Sequence, residues 1–429
     1  MKKQSRRYFI KDKLWKGFLL SVFSPISTIA NHDNLSFQNA AIFNENGTIN
    51  WKNIKELFTL ANTRKHFNTA SIGPSPISVQ EATIESIKNI NKYAIENHKA
   101  VEKSRIKLAK FIHSNPEQLA LIKNATEGMN IIARSLNLKA GDEVILTSEE
   151  HIGGSAPWIS LQNEIGIKVT VIDILGKEEK VLDLLKSTIT NQTKVISISH
   201  ITCTTGTILP IKDIIQLCKK HQIQSVIDGT QALGQISVDI EKLQPDFYIS
   251  SCHKWLFGPK GTGILYLNKD FLNDTPPLFA GAYTDQKFDL IKGIYTYKKH
   301  ASRYEYGTIN APILNGLEAS VTFIDNIGIN HIEARGRQLA SRFRTKITPN
   351  QKITILTSSE PSESASMVTF KIKDKNSSAV CGELRKNYNT ILRSVTENNM
   401  NAIRASFAIY IDEQEVDELV DKVLTIANS

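Results

Sequence analysis

Between residues 143 and 267, short β-branched runs alternate with stretches of helical character, and this alternation restricts the possible folds more than any other feature of the chain. The runs are Glu143 to Thr147, Lys168 to Ile174, Lys194 to Ile201, Ser225 to Asp228, Asp246 to Ser251 and Gly263 to Leu267, with helix candidates such as Ile211 to His221 between them. A strand–helix–strand series predicts an α/β domain on a mainly parallel sheet, because parallel neighbours need long crossovers. Ligands of such sheets gather at the carboxyl ends of the strands.

The flanking segments read differently. Residues 31–65 form a polar lead-in with one helical stretch around Trp51 to Leu60. After the Gly73-Pro74-Ser75-Pro76 turn, a long helical region is expected from about Ile77 to His113, with Ile84, Ile87, Ile90 and Ile95 at helical spacing. Beyond about residue 330 the pattern becomes α+β: a helix from Gly328 to Thr348, a strand near Met367 to Ile372 and a closing helix from Glu413 to Ile426. The expected divisions are 1–30, 31–75, a large domain at 76–325 and a small α+β domain at 326–429. With 429 residues, 41% of them hydrophobic and 22% charged, the chain is neither disordered, collagen-like nor disulfide-stapled, and can bury a core without crosslinks.

The net charge of +9 raises the question of a polyanionic partner, so its location matters. Residues 1–30 hold seven Lys and Arg and one Asp, a local +6, which leaves +3 for residues 31–429. No basic block with interleaved aromatics marks a nucleic-acid groove. Ser5-Arg6-Arg7-Tyr8-Phe9-Ile10-Lys11 resembles the twin-arginine export signal, and an interrupted apolar stretch follows from Leu14 to Ala30. The resemblance implies engagement of the twin-arginine translocase, a periplasmic location, and cleavage after Ala30 or an uncleaved inner-membrane anchor. Cargo of this route folds first, which suits an enzyme that acquires its cofactor in the cytoplasm.

Polar residues cluster at the strand ends. Asp228 closes Ser-Val-Ile-Asp and precedes Gly229-Thr230-Gln231; the next strand ends in Ser251-Cys252-His253-Lys254-Trp255. A carboxylate and a lysine on neighbouring strand ends suit pyridoxal 5'-phosphate: the lysine forms the Schiff base, and the carboxylate keeps the pyridine nitrogen protonated. Desolvation would lower the lysine's pKa and supply free amine. Taken singly, Asp228 reads as a turn residue, His151 as a surface or capped histidine, Thr126 as a helix cap and Lys254 as one lysine among many; their joint order carries the chemistry.

These residues, within 66–425, are similar to the class V aminotransferases of PLP fold type I, with the isopenicillin N epimerase-like branch nearest. The resemblance implies that Lys254 is the Schiff-base lysine, that Asp228 pairs with the pyridine nitrogen and that Gln231 sits near the phenolic oxygen. It further implies that His151 stacks on the ring and that Ala125, Thr126, Ser251 and His253 contact the phosphate. Thr308 would reach the cofactor of a neighbouring subunit in a homodimer. Arg393 would hold the substrate α-carboxylate, Asn68 with Thr69 and Ala70 would line the substrate side, and Arg404 would be structural.

The reaction is less legible. A persulfide-forming desulfurase needs a mobile cysteine near the substrate arginine, and Leu392 to Asn399 contains none. Cys203, in Thr202-Cys203-Thr204-Thr205-Gly206, and Cys252 are expected to pack beside the cofactor, and Cys381 within a helix. The four cysteines, with Cys218, show no metal spacing. What remains is aminotransferase- or epimerase-like chemistry at the Cα of an amino acid or of an amino-acid unit in a secreted peptide or siderophore-like metabolite. The alternative is a cysteine-conjugate C–S lyase. A non-catalytic binding module would be marked by loss of Lys254 or Asp228, and both are present.

Overall fold

In a computed structural model the described residues are 42–61 and 63–429, so the arginine pair, the apolar stretch and most of the lead-in lie outside them. A seven-stranded sheet organises the chain. Its strands are β1 (Leu119–Ile122), β2 (Glu143–Thr147), β3 (Lys168–Ile172), β4 (Thr193–Ser199), β5 (Gln224–Asp228), β6 (Phe247–Ser251) and β7 (Gly263–Leu267). They lie in the order β1-β7-β6-β5-β4-β2-β3. All neighbours pair in parallel except those of β7, which runs against both β6 and β1.

The central strands are buried on both faces, which is why they read as nearly continuous apolar runs. Alternate residues feed two cores: Ile227 and Tyr248 pack on one side, Val226, Phe247 and Ile249 on the other. The chain reverses direction across the sheet at β2, whose neighbours are β3 and β4, and the carboxyl ends beside this switch are where the expected site residues emerge.

The helical region expected from Ile77 to His113 is two helices, α1 (Ile77–Tyr93) and α2 (His98–Phe111). Ala94 and Asn97 between them adopt left-handed conformations, with φ of 50° and 59°; Ala94 gives no sign of this, whereas Asn97 is of a type that tolerates it and precedes α2 as its cap residue. Ile84, Ile87 and Ile95 are about half exposed. The spacing of Ile84 and Ile87 therefore describes a surface stripe of α1, whereas Ile95 lies in the break beyond its end.

A second, four-stranded antiparallel sheet lies in the carboxyl-terminal part: β8 (Ile353–Ile355), β9 (Met367–Ile372), β10 (Arg393–Val395) and β11 (Ala402–Ser406), ordered β8-β9-β11-β10. Helices Ile329–Ile347 and Glu413–Asn428 pack with it; the latter starts on a capping box between Asp412 and Glu415. The segment before α1 threads between the two sheets. The Ser406 N–H donates to the Phe67 carbonyl, and the Gly73 N–H donates to the His253 carbonyl at 2.9 Å.

Candidate active site

The carboxyl ends of β2, β4, β5 and β6, the start of the helix after β1 and two residues of the second sheet enclose a cavity of about 320 Å³. Of the residues expected from sequence, Ala125, Thr126, His151, Asp228, Gln231, Ser251, His253, Lys254 and Arg393 line it. Two glycines make its floor possible. A side chain at Gly229, directly after Asp228, would collide with the Tyr248 ring, and one at Gly73 would collide with the Lys254 carbonyl.

Burial pushes the Lys254 amine down to about 8; the nearby Arg404 and Arg393 cations add to this, and the Asp228 charge opposes it. At pH 7 about a tenth of this lysine is therefore the nucleophilic free amine, far more than for an exposed lysine. Asp228 is buried, and one of its oxygens accepts the Thr230 N–H at 2.9 Å. His151 caps the helix Ile152–Ile165: its Nδ1 accepts the Gly153 N–H at 3.0 Å, so the other ring nitrogen carries the proton in the neutral form. Burial, helped by Lys254, lowers its pKa and favours that neutral ring. The capped-histidine reading and the cavity-wall reading of His151 therefore both describe the same geometry.

Gln231 is oriented by its neighbours. Its oxygen accepts from the Trp255 indole at 2.8 Å and its nitrogen donates to the Ala70 carbonyl at 2.9 Å, which leaves one N–H on the cavity wall. At the anion-binding end, helix Ala125–Ser135 begins with its Ala125 N–H on the Ser251 hydroxyl at 2.9 Å. Asn124 caps the Glu127 N–H, so Thr126 presents an N–H with no intrahelical acceptor at a positive helix terminus. His253 Nδ1 is buried with no partner among the described residues.

These features fit pyridoxal phosphate. Thr126, Ser251 and His253 supply donors for a phosphate, and Asp228 a carboxylate for a ring nitrogen. Gln231 offers a donor for an oxygen substituent, and Lys254 an amine for an aldehyde.

The substrate side departs from expectation. Arg404, expected to be structural, lines the cavity; it is 1% exposed, and its guanidinium meets only neutral oxygens. It donates to the Cys203 carbonyl, to Ser71 Oγ at 3.0 Å and to Asn68 Oδ1 at 3.3 Å, while its Nε has no partner among the described residues. Burial, then Arg393, push its pKa down to about 9. Arg393 also lines the cavity but is ion-paired with Glu397. Asn68 acts through Arg404 and is not part of the cavity wall, and Thr308 lies beside a separate pocket with Glu127 and Tyr306.

Cys203 is buried on the cavity wall, its thiol pushed up to about 11 by burial. Burial also raises Cys252 and takes Cys381 to about 11, so none of these thiols is a ready thiolate. Sequence reasoning passed over Glu149 and Glu150, directly before His151, both of whose carboxyls burial pushes up to about 7. The only available signal was a pair of acids immediately after an apolar strand.

Residues 80–419 match the family described as aminotransferase class V. A cysteine desulfurase of Cronobacter sakazakii is 29% identical over 382 residues, 84% of this chain and 93% of that one. One of Salmonella dublin is 28% identical over 346 residues, 78% of this chain and 84% of that one. The fold is similar to that of an Escherichia coli cysteine desulfurase, with TM-score 0.80, 23% identity and coverage of 88% and 98%. It is also similar to that of a cystine C–S lyase in complex with its product cysteine persulfide, with TM-score 0.79, 24% identity and coverage of 85% and 98%.

Proposed function

We propose that this chain, which belongs to the class V aminotransferase family of pyridoxal phosphate enzymes, acts at the Cα of an amino acid, or of an amino-acid unit in a larger metabolite, by aminotransferase- or epimerase-like chemistry. The observation that carries the reading is one cavity that joins the low-pKa amine of Lys254, the carboxylate of Asp228 and the unpaired guanidinium of Arg404. Pyridoxal 5'-phosphate, when bound, supplies an electron sink for charge that develops at Cα. Asp228 would hold a proton at the ring nitrogen, and His151, a neutral imidazole on the cavity wall, would support the ring. Lys254 Nζ moves the Cα proton, and Arg404 fixes the α-carboxylate so that the Cα–H bond faces that amine. The likeness to the isopenicillin N epimerase-like branch belongs to this reading, on the Thr202-to-Gly206 and Cys252-to-Trp255 segments.

The test is solvent deuterium exchange at Cα, followed by mass spectrometry across a panel of amino acids, with amino transfer to a keto acid scored in parallel. Lys254→Ala is expected to abolish exchange and the reducible cofactor bond together; exchange that persists in the variant would falsify the assignment of Lys254. A second reading, a cysteine-conjugate C–S lyase, is favoured over a persulfide relay by the raised pKa values of Cys203, Cys252 and Cys381. It would show as release of pyruvate and thiol with no sulfur left on the protein.

Members of this family are typically homodimers. Ile84 and Ile87 on α1, and Leu290 and Ile291 at the tip of the 285–297 hairpin, are exposed apolar residues available to a second copy. We place the enzyme in the periplasm, exported folded through the twin-arginine translocase, on the strength of Ser5 to Lys11. That location favours late modification of a secreted peptide or siderophore-like compound. Amino-terminal sequencing of the periplasmic fraction should find a start near Asn31; a start at Met1 in membranes would sink the cleaved form.

A further inference from the structure

We infer that Glu397 sets how many carboxylates the cavity accepts: by occupying Arg393 it leaves Arg404 as the guanidinium open to substrate, so the substrate carries a single acid group. The inference rests on the reading of Arg404 as the α-carboxylate residue.

The two arginines are register partners on adjacent antiparallel strands, β10 and β11, so their side chains leave the same face of the sheet toward the same cavity. Like charges placed directly opposite repel, and this pair is neutralised on one side only. Glu397 pairs with Arg393, whereas Arg404 has no acidic partner among its hydrogen bonds.

Glu397 is also held in place. Its second oxygen accepts the Thr396 N–H at 3.1 Å, and the turn that presents it runs through left-handed Asn398 and Asn399, at φ of 51° and 57°. Asn398 reaches across to the Ser148 carbonyl, next to the Glu149-Glu150-His151 run. Below the turn, Val395, Met400 and Ala402 form a buried cluster with Leu175 and Leu356 packed against it. The Arg393 and Glu397 side chains are 24% and 27% exposed, so the pair stands at the cavity's edge, partly dry.

A substrate with one carboxylate meets Arg404 and leaves the pair intact. A substrate with two would have to displace Glu397 from Arg393 and leave a carboxylate unpaired beside the incoming one. Glu397 thereby excludes dicarboxylates by occupying their second site with a fixed anion.

The experiment is isothermal titration of the holoenzyme with propionate and with succinate, for the wild type, Glu397→Gln and Glu397→Asp. The wild type should bind succinate no more tightly than propionate. Glu397→Gln should strengthen succinate binding by roughly tenfold, about 1.4 kcal/mol, with propionate unchanged. Glu397→Asp, which keeps an anion, should retain the wild-type ratio. An unchanged ratio in Glu397→Gln, a wild type that already prefers succinate tenfold, or an Asp variant that behaves like the Gln variant each overturns the inference. If propionate binds neither wild type nor Glu397→Gln, the reading of Arg404 itself has failed, an outcome distinct from a failure of Glu397 alone.

Discussion

Four arginines are almost fully buried, Arg105, Arg303, Arg335 and Arg404. Two of them, Arg105 under the edge strand β1 and Arg404 in the cavity, make a direct contrast. Arg105 forks onto the buried carboxylate of Glu305, with Nη2 to Oε2 at 2.8 Å; it also reaches the Leu119 carbonyl and, through Nε, the Glu102 carboxylate. Glu305 in turn accepts the Leu121 N–H at 2.7 Å, so the pair ties α2, β1 and the 301–305 turn together. Arg404 has an equally dry position and no carboxylate among its partners. A dry cation that already has its anion holds a fold together. Arg404 has no anion among its partners, lines a cavity and has its pKa pushed down, and this combination marks a site built for a ligand. Arg303, also buried without a carboxylate among its hydrogen bonds, donates to the Lys298 and Thr275 carbonyls away from the cavity.

The largest effect that separates them is on stability. Arg105→Leu leaves Glu305 buried without its partner and should cost about 3–5 kcal/mol in urea unfolding, with activity per folded molecule retained. A loss below about 1 kcal/mol would erase the structural half of the contrast. Next comes Arg404→Leu, which removes a charged donor from the ligand and should weaken carboxylate binding by about 1.5–3 kcal/mol, roughly ten- to 150-fold. Its stability should stay at or above wild type, because a desolvated cation has been replaced by an apolar side chain. A drop as large as that of Arg105→Leu would make Arg404 structural after all.

The contrast also explains what the sequence could reveal. Asp228, Ser251 and Lys254 directly follow β-branched runs, so local pattern places them at strand ends, and the topology of a parallel sheet brings those ends together. Arg404 sits inside Ala402 to Ser406, a strand buried throughout, and its role depends on Asn68, Ser71 and Cys203, which lie about 200 or more residues away in the chain. No local periodicity reports such a contact. The short strands β8 and β10, three residues each, carry too little alternation to register, and the break at Ala94 to Asn97 offers a single Asn as its turn signal, with neither Gly nor Pro. Thr308 lines a pocket separate from this chain's cavity, and the role the family resemblance gives it lies in a partner's site.

Glu149 sharpens the comparison with the opposite charge. It is fully buried, accepts from the Thr204 hydroxyl, and has no basic partner among the described residues, so below about pH 7 burial keeps it protonated where an exposed glutamate would be ionised. The folded form releases this proton near pH 7 and the unfolded form near 4.5, so between those values the folded state binds more protons. Its contribution to stability is therefore full below about 4.5 and is lost as pH rises through 7, at up to about 1.4 kcal/mol per pH unit inside that window. Glu149→Gln keeps an acceptor for Thr204 and cannot ionise. Relative to wild type it should gain stability from pH 5 to about pH 7 and level off above that, as read from paired urea titrations. Parallel curves for the two proteins would mean that Glu149 is already ionised at pH 5 and holds a counter-charge, which would place it with Arg105 among the paired charges.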